Sequence, residues 1–172
     1  MAAIDLAYSI DRIEPYLSVG SWQAATDEEN LEDLRFNAIL SIEIYNKPQN
    51  VLKLYEKYKI HSYEIHVDNL PSENIQRWFP RIYTIINHYI NKKNSVLINC
   101  GDGNGRALIA AAAYIMIRAY LTNKPKTTIA DNVIKFVCRQ RQNANPLPQM
   151  IASLKDFERQ IRDGKYDIDK LK

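Results

Sequence analysis

The sequence predicts an α/β protein with a mainly parallel central sheet of four to five strands and helices on both faces. Short apolar segments alternate with longer amphipathic ones, which is typical of a parallel sheet covered on both sides. The 172 residues are 46% hydrophobic and 25% charged, so the chain can bury a sizeable core. Since neither an internal repeat nor a linker is visible, we expect a single domain over residues 1–172, with its core between about residues 10 and 164.

Four short apolar segments are predicted as strands because β-branched and other apolar residues dominate them. They are Tyr16 to Val19, Ala38 to Ile44, Tyr63 to Val67 and Val96 to Asn99.

Six further segments are predicted as helices from their periodicity and end signals. Two begin at capping signals: a capping box at Thr26 to Glu29, and Thr128. A glycine, Gly164, is expected at the C′ position of the last helix. The predicted helices are Thr26 to Arg35, Pro48 to Lys57, Ile75 to Ile90, Ala107 to Leu121, Thr128 to Arg141, and Gln149 to Gly164.

Composition narrows the possible functions. The formal net charge is only +3 with a pI near 8.8, so composition gives no strong support to nucleic-acid binding. Two cysteines do not form a disulfide framework, which favours a reducing, intracellular setting; Cys138 lies on an apolar helical stripe and is expected to pack in the core. The longest apolar run, Ala107 to Ile117, is too short to span a bilayer, and the first residues lack a signal-peptide pattern. We therefore expect a soluble cytoplasmic protein.

The segment from Ser95 to Arg106 carries the chemistry: a predicted buried strand, a glycine-rich turn opening on Cys100, and a helix start at Arg106. Backbone amides at a helix N-terminus bind anions and favour a thiolate over a thiol. The guanidinium of Arg106 suits bidentate contact with phosphate. A cysteine, five residues and an arginine in this setting predict a site for nucleophilic attack on a phosphate ester.

At these residues the chain resembles the dual-specificity phosphatases of the protein tyrosine phosphatase superfamily. The cysteine, the central glycine and the arginine of their motif stand here as Cys100, Gly103 and Arg106, whereas Asn99 and Ala107 replace the flanking His and Ser/Thr. The resemblance also covers three other segments, which are Arg12 to Ala25, Phe36 to Ile42 and Arg139 to Met150.

The resemblance implies a metal-independent, cofactor-free phosphatase that forms a phosphocysteine on Cys100. It implies a phosphorylated protein or peptide as substrate, carrying phosphotyrosine or phosphoserine/threonine. The implied phosphate-binding residues are Gly101, Asp102, Gly103, Asn104, Gly105 and Arg106. Because Ala107 cannot donate a hydrogen bond to the sulfur, reduced activity is expected. The alternative is a pseudophosphatase that binds a phosphorylated partner without efficient turnover. Asp102 also resembles the motif of the myotubularin lipid phosphatases, which keeps a phosphoinositide substrate open.

The general acid of the family is an Asp in the loop after the third predicted strand. Aligned without gaps, that position falls on Asn69, which cannot act as an acid, and Asp68 lies one residue earlier. Either the loop is shifted by one residue and Asp68 donates the proton, or the acid is missing; Glu73 is a distant substitute. We assign Cys100, Arg106 and Asp68 as the candidate catalytic residues.

Overall fold

Five strands form one sheet within residues 6–68 and 74–172, which are the residues that the computed structural model describes. The strands are β1 (Ile10–Glu14), β2 (Leu17–Ser21), β3 (Ala38–Glu43), β4 (His61–His66) and β5 (Val96–Cys100). Their order is β1-β2-β5-β3-β4, with β1 antiparallel to β2 and all the other pairs parallel. The predicted α/β class with a mainly parallel sheet is therefore confirmed.

Seven α-helices flank this sheet in the described part of the chain. They are α1 (Trp22–Thr26), α2 (Glu28–Leu34), α3 (Gln49–Lys57), α4 (Phe79–Ile90), α5 (Arg106–Asn123), α6 (Ala130–Arg139) and α7 (Pro148–Arg162). Short 3₁₀ turns lie at Leu6–Tyr8, Ile75–Trp78 and Ile168–Leu171. None of the helices in these residues is both long and apolar enough to cross a bilayer.

The edge strand β1 was not predicted from the sequence. Of its five residues only Ile13 is buried, because β1 pairs on one side alone. A strand with so few buried positions lacks the apolar pattern that identifies strands. By contrast, all five residues of β5 are buried, as its apolar run predicted.

Two predicted helix caps are corrected. Thr26 ends α1, and the cap of α2 is Asp27, whose carboxylate accepts the Asn30 amide at 3.0 Å. Thr128 does not cap the next helix either, since α6 begins at Ala130 without a cap from its own N-cap residue.

The cap of α6 comes instead from a distant side chain. The carboxylate of Glu158 on α7 accepts the amides of Ile129 and Ala130, the latter at 3.1 Å. It also accepts the hydroxyl of Tyr120 at 2.7 Å, so this buried carboxylate joins α5, α6 and α7. A cap supplied from so far along the chain leaves no local sequence signal.

The predicted glycine stop after the last helix is confirmed. Gly164 has φ +69°, and its amide donates to the carbonyl of Ile161 at 3.2 Å. The following amide, of Lys165, donates to the carbonyl of Gln160 at 2.9 Å. These two bonds form a Schellman motif, which satisfies carbonyls that would otherwise be unpaired at the helix end.

β5 is the central strand of the sheet, and its carboxyl end lies where the carboxyl ends of the other parallel strands also lie. Strands β2, β3, β4 and β5 are parallel, so their carboxyl ends meet there, and β5 lies between β2 and β3. Cys100 pairs in register with Ser21, and Asn99 pairs with Ser41. The buried helix α5 follows β5 directly. Ligands bind preferentially at this edge of a parallel sheet, which marks it as the candidate site.

Candidate active site

Cys100 is the last residue of β5 and is only 1% exposed. Residues 101–105 form the turn that leads from it into α5, which begins at Arg106. The amide of Trp22, the first residue of α1, donates to the carbonyl of Gly101 at 3.0 Å. The turn is thus fastened to the neighbouring strand-to-helix connection, and the predicted residues Cys100 and Arg106 lie at its two ends.

Gly103 lies against β2 in a way that excludes a side chain. Its φ is +74°, and a Cβ built on it would approach the backbone carbon and oxygen of Gly20 to 2.5 Å. The same Cβ would lie 2.8 Å from Nη2 of Arg141. Glycine is needed here both for the left-handed backbone and for the close approach of two chain segments.

Arg141, just beyond α6, holds the turn from behind. Its Nε donates to Oδ1 of Asn104 at 2.8 Å, and Nη2 donates to the carbonyl of Asp102 at 2.9 Å. Its Nη1 forms an ion pair with Asp11 of β1 at 2.8 Å. The side chain is only 3% exposed. We did not single out Arg141 from the sequence, since nothing local distinguishes it from the exposed arginine two residues earlier.

The guanidinium of Arg106 is buried and contacts two strand ends. Its Nη1 donates to the carbonyl of Val67, just after β4, at 2.8 Å. Its Nη2 lies 3.5 Å from Oε2 of Glu43, the last residue of β3. The sequence analysis did not select Glu43, which can be recognised only once β3 and β5 are known to be neighbours.

The acid candidates are only partly visible. Asp68 directly follows Val67, whose carbonyl holds Arg106, so the backbone brings Asp68 next to the turn. It is half-buried. Asn69 and Glu73 lie outside the described residues.

The thiol of Cys100 differs from the prediction of a favoured thiolate. Burial raises its pKa above the ordinary value, and the nearby carboxylate of Asp102 raises it further. Hydrogen bonding from the amides of Ala107 and Gly105 and the charge of Arg106 act in the opposite direction without reversing the shift. The sequence argument counted the amides and the helix dipole, but it did not count desolvation, which disfavours the charged form.

Asp102 interacts with the thiol of Cys100 and with the backbone of the turn. Its Oδ1 accepts the amide of Asn104 at 2.9 Å and lies 3.8 Å from Sγ of Cys100, which donates to it. A carboxylate therefore lies directly beside the thiol.

Asn99, in place of the motif's His, is fully buried. Its Oδ1 accepts the hydroxyl of Ser41 on β3 at 2.6 Å. Its Nδ2 is buried and has no hydrogen-bond partner among the described residues. Asn99 therefore ties β5 to β3 but brings no positive charge towards Cys100.

A cavity of about 700 Å³ opens over the turn. Its walls come from β1, the start of α1, the segment after β3 and the segment after α6, and its lining includes Gly101, Asp102 and Asn104. The volume is within the range of ligand pockets, but Cys100 and Arg106 are not among the lining residues. Within residues 6–68 and 74–172, His, Cys, Asp and Glu side chains form no group of three that could hold a metal ion. Cys138 packs against the core, as predicted.

Replacing Asp102 by Asn should lower the pKa of the Cys100 thiol. The substitution removes a negative charge that disfavours the thiolate, while the Asn oxygen can still accept the Asn104 amide. Alkylation of Cys100 by iodoacetamide should therefore be faster at neutral pH in Asp102→Asn, with its pH midpoint shifted down. Peptide mass spectrometry follows Cys138 in the same digest as an internal control. An unchanged midpoint would contradict the prediction.

The sequence matches a family model described as "Dual specificity phosphatase, catalytic domain" over residues 17–160. It is 30% identical over 153 residues to dual specificity protein phosphatase 9 of Homo sapiens, covering 88% of this chain and 36% of that protein. It is 27% identical over 154 residues to dual specificity protein phosphatase MPK-4 of Drosophila melanogaster, covering 88% of this chain and again 36% of the relative. The chain thus spans about a third of the length of these relatives.

Solved structures show the same fold. The Yvh1 phosphatase domain from Chaetomium thermophilum superposes with a TM-score of 0.74 at 21% identity, over 91% of this chain and 98% of that one. Human DUSP28 superposes with a TM-score of 0.71 at 17% identity, over 89% and 95%. The human tyrosine phosphatase-like serine/threonine/tyrosine-interacting protein superposes with a TM-score of 0.68 at 20% identity, over 87% and 95%.

Proposed function

Because the chain belongs to the dual-specificity phosphatase family, we propose that it hydrolyses phosphate monoesters of phosphoproteins through a phosphocysteine intermediate. The observation that carries this proposal is the position of Cys100 at the end of the central strand. There the amides of Gly105 and Ala107 reach its sulfur, and Arg106 starts the helix that follows.

In the first step, the thiolate of Cys100 attacks phosphorus, and the bond between phosphorus and the ester oxygen breaks. The leaving oxygen takes a proton, for which Asp68 is the candidate donor. The amides of the turn and Arg106 stabilise the charge on the three equatorial oxygens. In the second step, water attacks phosphorus and gives a proton to the carboxylate of Asp68, the phosphorus–sulfur bond breaks, and orthophosphate leaves with the thiolate and the acid both restored.

We propose that both chemical steps are slow, the attack because of the pKa of Cys100 and the release because of Ala107. The raised pKa of Cys100 leaves less thiolate at neutral pH, which slows the attack. Ala107 has no hydroxyl to donate to the departing sulfur, which slows the release. We also propose a phosphorylated protein or peptide as substrate, with phosphotyrosine and phosphoserine/threonine both accepted.

The contact between Asp102 and Cys100 supports a second candidate function, that of a pseudophosphatase. A carboxylate 3.8 Å from Sγ repels the thiolate as well as an incoming phosphate. If this repulsion dominates, the chain binds a phosphorylated partner weakly and turns it over too slowly to matter as an enzyme.

Replacing Cys100 by Ser should abolish phosphate release, because a serine hydroxyl in this site is a much weaker nucleophile than a thiolate. The test measures release of p-nitrophenol from para-nitrophenyl phosphate, and of phosphate from a phosphotyrosine peptide, by native protein and by Cys100→Ser. The loss should be at least about a thousandfold. Asp68→Asn and Asn69→Asp then locate the acid, since losing it should impair the peptide more than the aryl ester, whose leaving group needs no proton.

Either function has a distinct outcome. Turnover that survives Cys100→Ser would refute the phosphocysteine mechanism. Folded native protein that binds the phosphopeptide but releases no phosphate from either substrate would refute the enzyme and support the pseudophosphatase.

A further inference from the structure

Glu43 places a second carboxylate beside the turn that holds Cys100. It is the last residue of β3, and its side chain is 18% exposed. Its Oε2 lies 3.5 Å from Nη2 of Arg106. Its Oε1 is buried and has no hydrogen-bond partner in the part of the chain that the structure describes. One oxygen of this carboxylate therefore faces the arginine, whereas the other is buried without a hydrogen bond.

Arg106 already uses its other terminal nitrogen. Nη1 donates to the carbonyl of Val67, whereas Nη2 faces Glu43. An oxyanion bound in the turn would thus share Arg106 with a carboxylate. Asp102 contributes a second negative charge, 3.8 Å from the thiol sulfur. Both Glu43 and Asp102 line the cavity over the turn, so an entering dianion meets two carboxylates, whereas Arg106 is not among the lining residues.

The pKa of the Glu43 carboxyl depends on its burial and on charged groups from the neighbouring elements. Burial, the largest influence, and Asp102 raise the pKa of the Glu43 carboxyl, whereas Arg106 of α5, the amide of Ile44 and Lys47, just after β3, lower it. The net direction is upward, so this carboxyl gains a proton more readily than an ordinary glutamate.

Lys47 is not free to respond to an anion, because it lies 3.5 Å from Glu64 of β4 with its side chain 1% exposed. A further titratable neighbour is His66 at the end of β4, which lines a small second cavity together with Glu43. An imidazole can also change its charge near neutral pH, so His66 requires a control.

We propose that Glu43 is an internal counter-ion of Arg106 that takes up a proton when an oxyanion enters the turn. While the turn is empty, the carboxylate balances the guanidinium. When a dianion arrives, the repulsion between like charges is relieved by protonating Glu43, which leaves Arg106 to the ligand. The inference rests on the proposed phosphate site and adds a consequence: oxyanion binding strengthens as the pH falls.

The sign follows from linkage. A bound dianion raises the pKa of Glu43 above its value in the empty site. Between these two values the complex holds more protons than the free protein, so affinity increases as the pH decreases, by up to about tenfold per pH unit for one proton. Below the lower value Glu43 is already protonated, and the affinity no longer changes.

The experiment uses sulfate, because hydrogen sulfate is a much stronger acid than a carboxyl group or an imidazolium, so sulfate keeps its double charge and cannot itself explain a pH dependence. Isothermal titration calorimetry of the native chain in buffers of different ionisation enthalpy counts the protons taken up on binding. We expect proton uptake and tighter binding at lower pH. Native protein that binds sulfate without proton uptake would overturn the inference, whatever the variants do.

Two isosteric variants and one control assign the proton. Glu43→Gln should bind sulfate more tightly than native protein above neutral pH and should show a flat pH profile. His66→Gln should keep the native profile. A native profile in Glu43→Gln, or a profile flattened by Asp102→Asn instead, would overturn the role of Glu43. If sulfate binds to none of these proteins at any pH, the phosphate site itself is wrong, and the proposed function fails with it.

Discussion

Gly103→Ala should unfold at a temperature about 10 °C below the native chain and should lose phosphatase activity. An alanine at φ +74° costs about 1–2 kcal/mol in backbone strain. Its Cβ would also lie 2.5 Å from the backbone of Gly20, which cannot move as a flexible side chain could. Overpacking of this kind adds roughly 1–3 kcal/mol. For a chain of this length, a total of about 3–4 kcal/mol corresponds to a shift of roughly that size.

The activity falls for a separate reason. If the folded protein relieves the contact by moving the turn away from β2, the amides near Cys100 move with it. A displacement of about 1 Å at a reacting centre can cost about a hundredfold in rate. Thermal melting followed by circular dichroism measures the first effect, and kcat/KM on para-nitrophenyl phosphate, taken well below the melting temperature, measures the second.

Gly164→Ala is the matched control, because Gly164 has φ +69° but an added Cβ would have no neighbour within 4 Å. It carries the backbone strain without the steric conflict, and it lies at the end of α7. We expect a loss of about 1–2 kcal/mol in stability and unchanged kcat/KM. Equal melting temperatures for the two variants would show that the contact between Gly103 and Gly20 is not a real constraint.

Arg141→Met should also lower both stability and activity. Methionine keeps most of the length and apolar volume but removes every donor, so Asn104, the carbonyl of Asp102 and the carboxylate of Asp11 lose their partner. Leaving such groups unsatisfied costs roughly 3 kcal/mol in total. Because Arg141 acts through the turn and not on the substrate, the predicted effect on kcat/KM, about a hundredfold, should be accompanied by weaker sulfate binding.

Arg139→Met is the control for charge and side-chain type, since Arg139 is exposed and is the last residue of α6, two positions before Arg141. Its melting temperature and kcat/KM should match those of the native chain. If Arg141→Met behaves like Arg139→Met, the hydrogen bonds of Arg141 do not hold the turn in solution.

The sequence predicts those parts of the fold whose apolar pattern is contained in one continuous segment. The apolar run of β5, the turn that follows it and the start of α5 are continuous in the chain, so their pattern is visible without knowledge of any partner. Strand β1 was missed because only Ile13 is buried there, and the capping of α6 was assigned to Thr128 because Glu158 is distant in sequence.

The residues of the candidate site also form two groups, those visible in one local motif and those brought together only by the fold. Cys100 and Arg106 belong to one short motif, whereas Arg141 and Glu43 reach the turn only through the order of the strands and the packing of α6. The pKa of Cys100 was misjudged for the same physical reason. The amides and the helix are encoded locally, but desolvation depends on everything that packs around the sulfur.

The contacts of Arg141 with the turn and with Asp11 have a consequence for the order in which the chain folds. Arg141 and Asp11 are 130 positions apart, and the turn that they secure lies between them in the chain. Closing so long a separation costs chain entropy that is repaid only by contacts formed late. A nascent chain that has not yet emerged beyond α6 can pair β2, β3 and β5, but it lacks the hydrogen bonds from Arg141 to Asn104 and to the carbonyl of Asp102. We therefore expect the turn to be held in its final position only after the segment beyond α6 has packed against it.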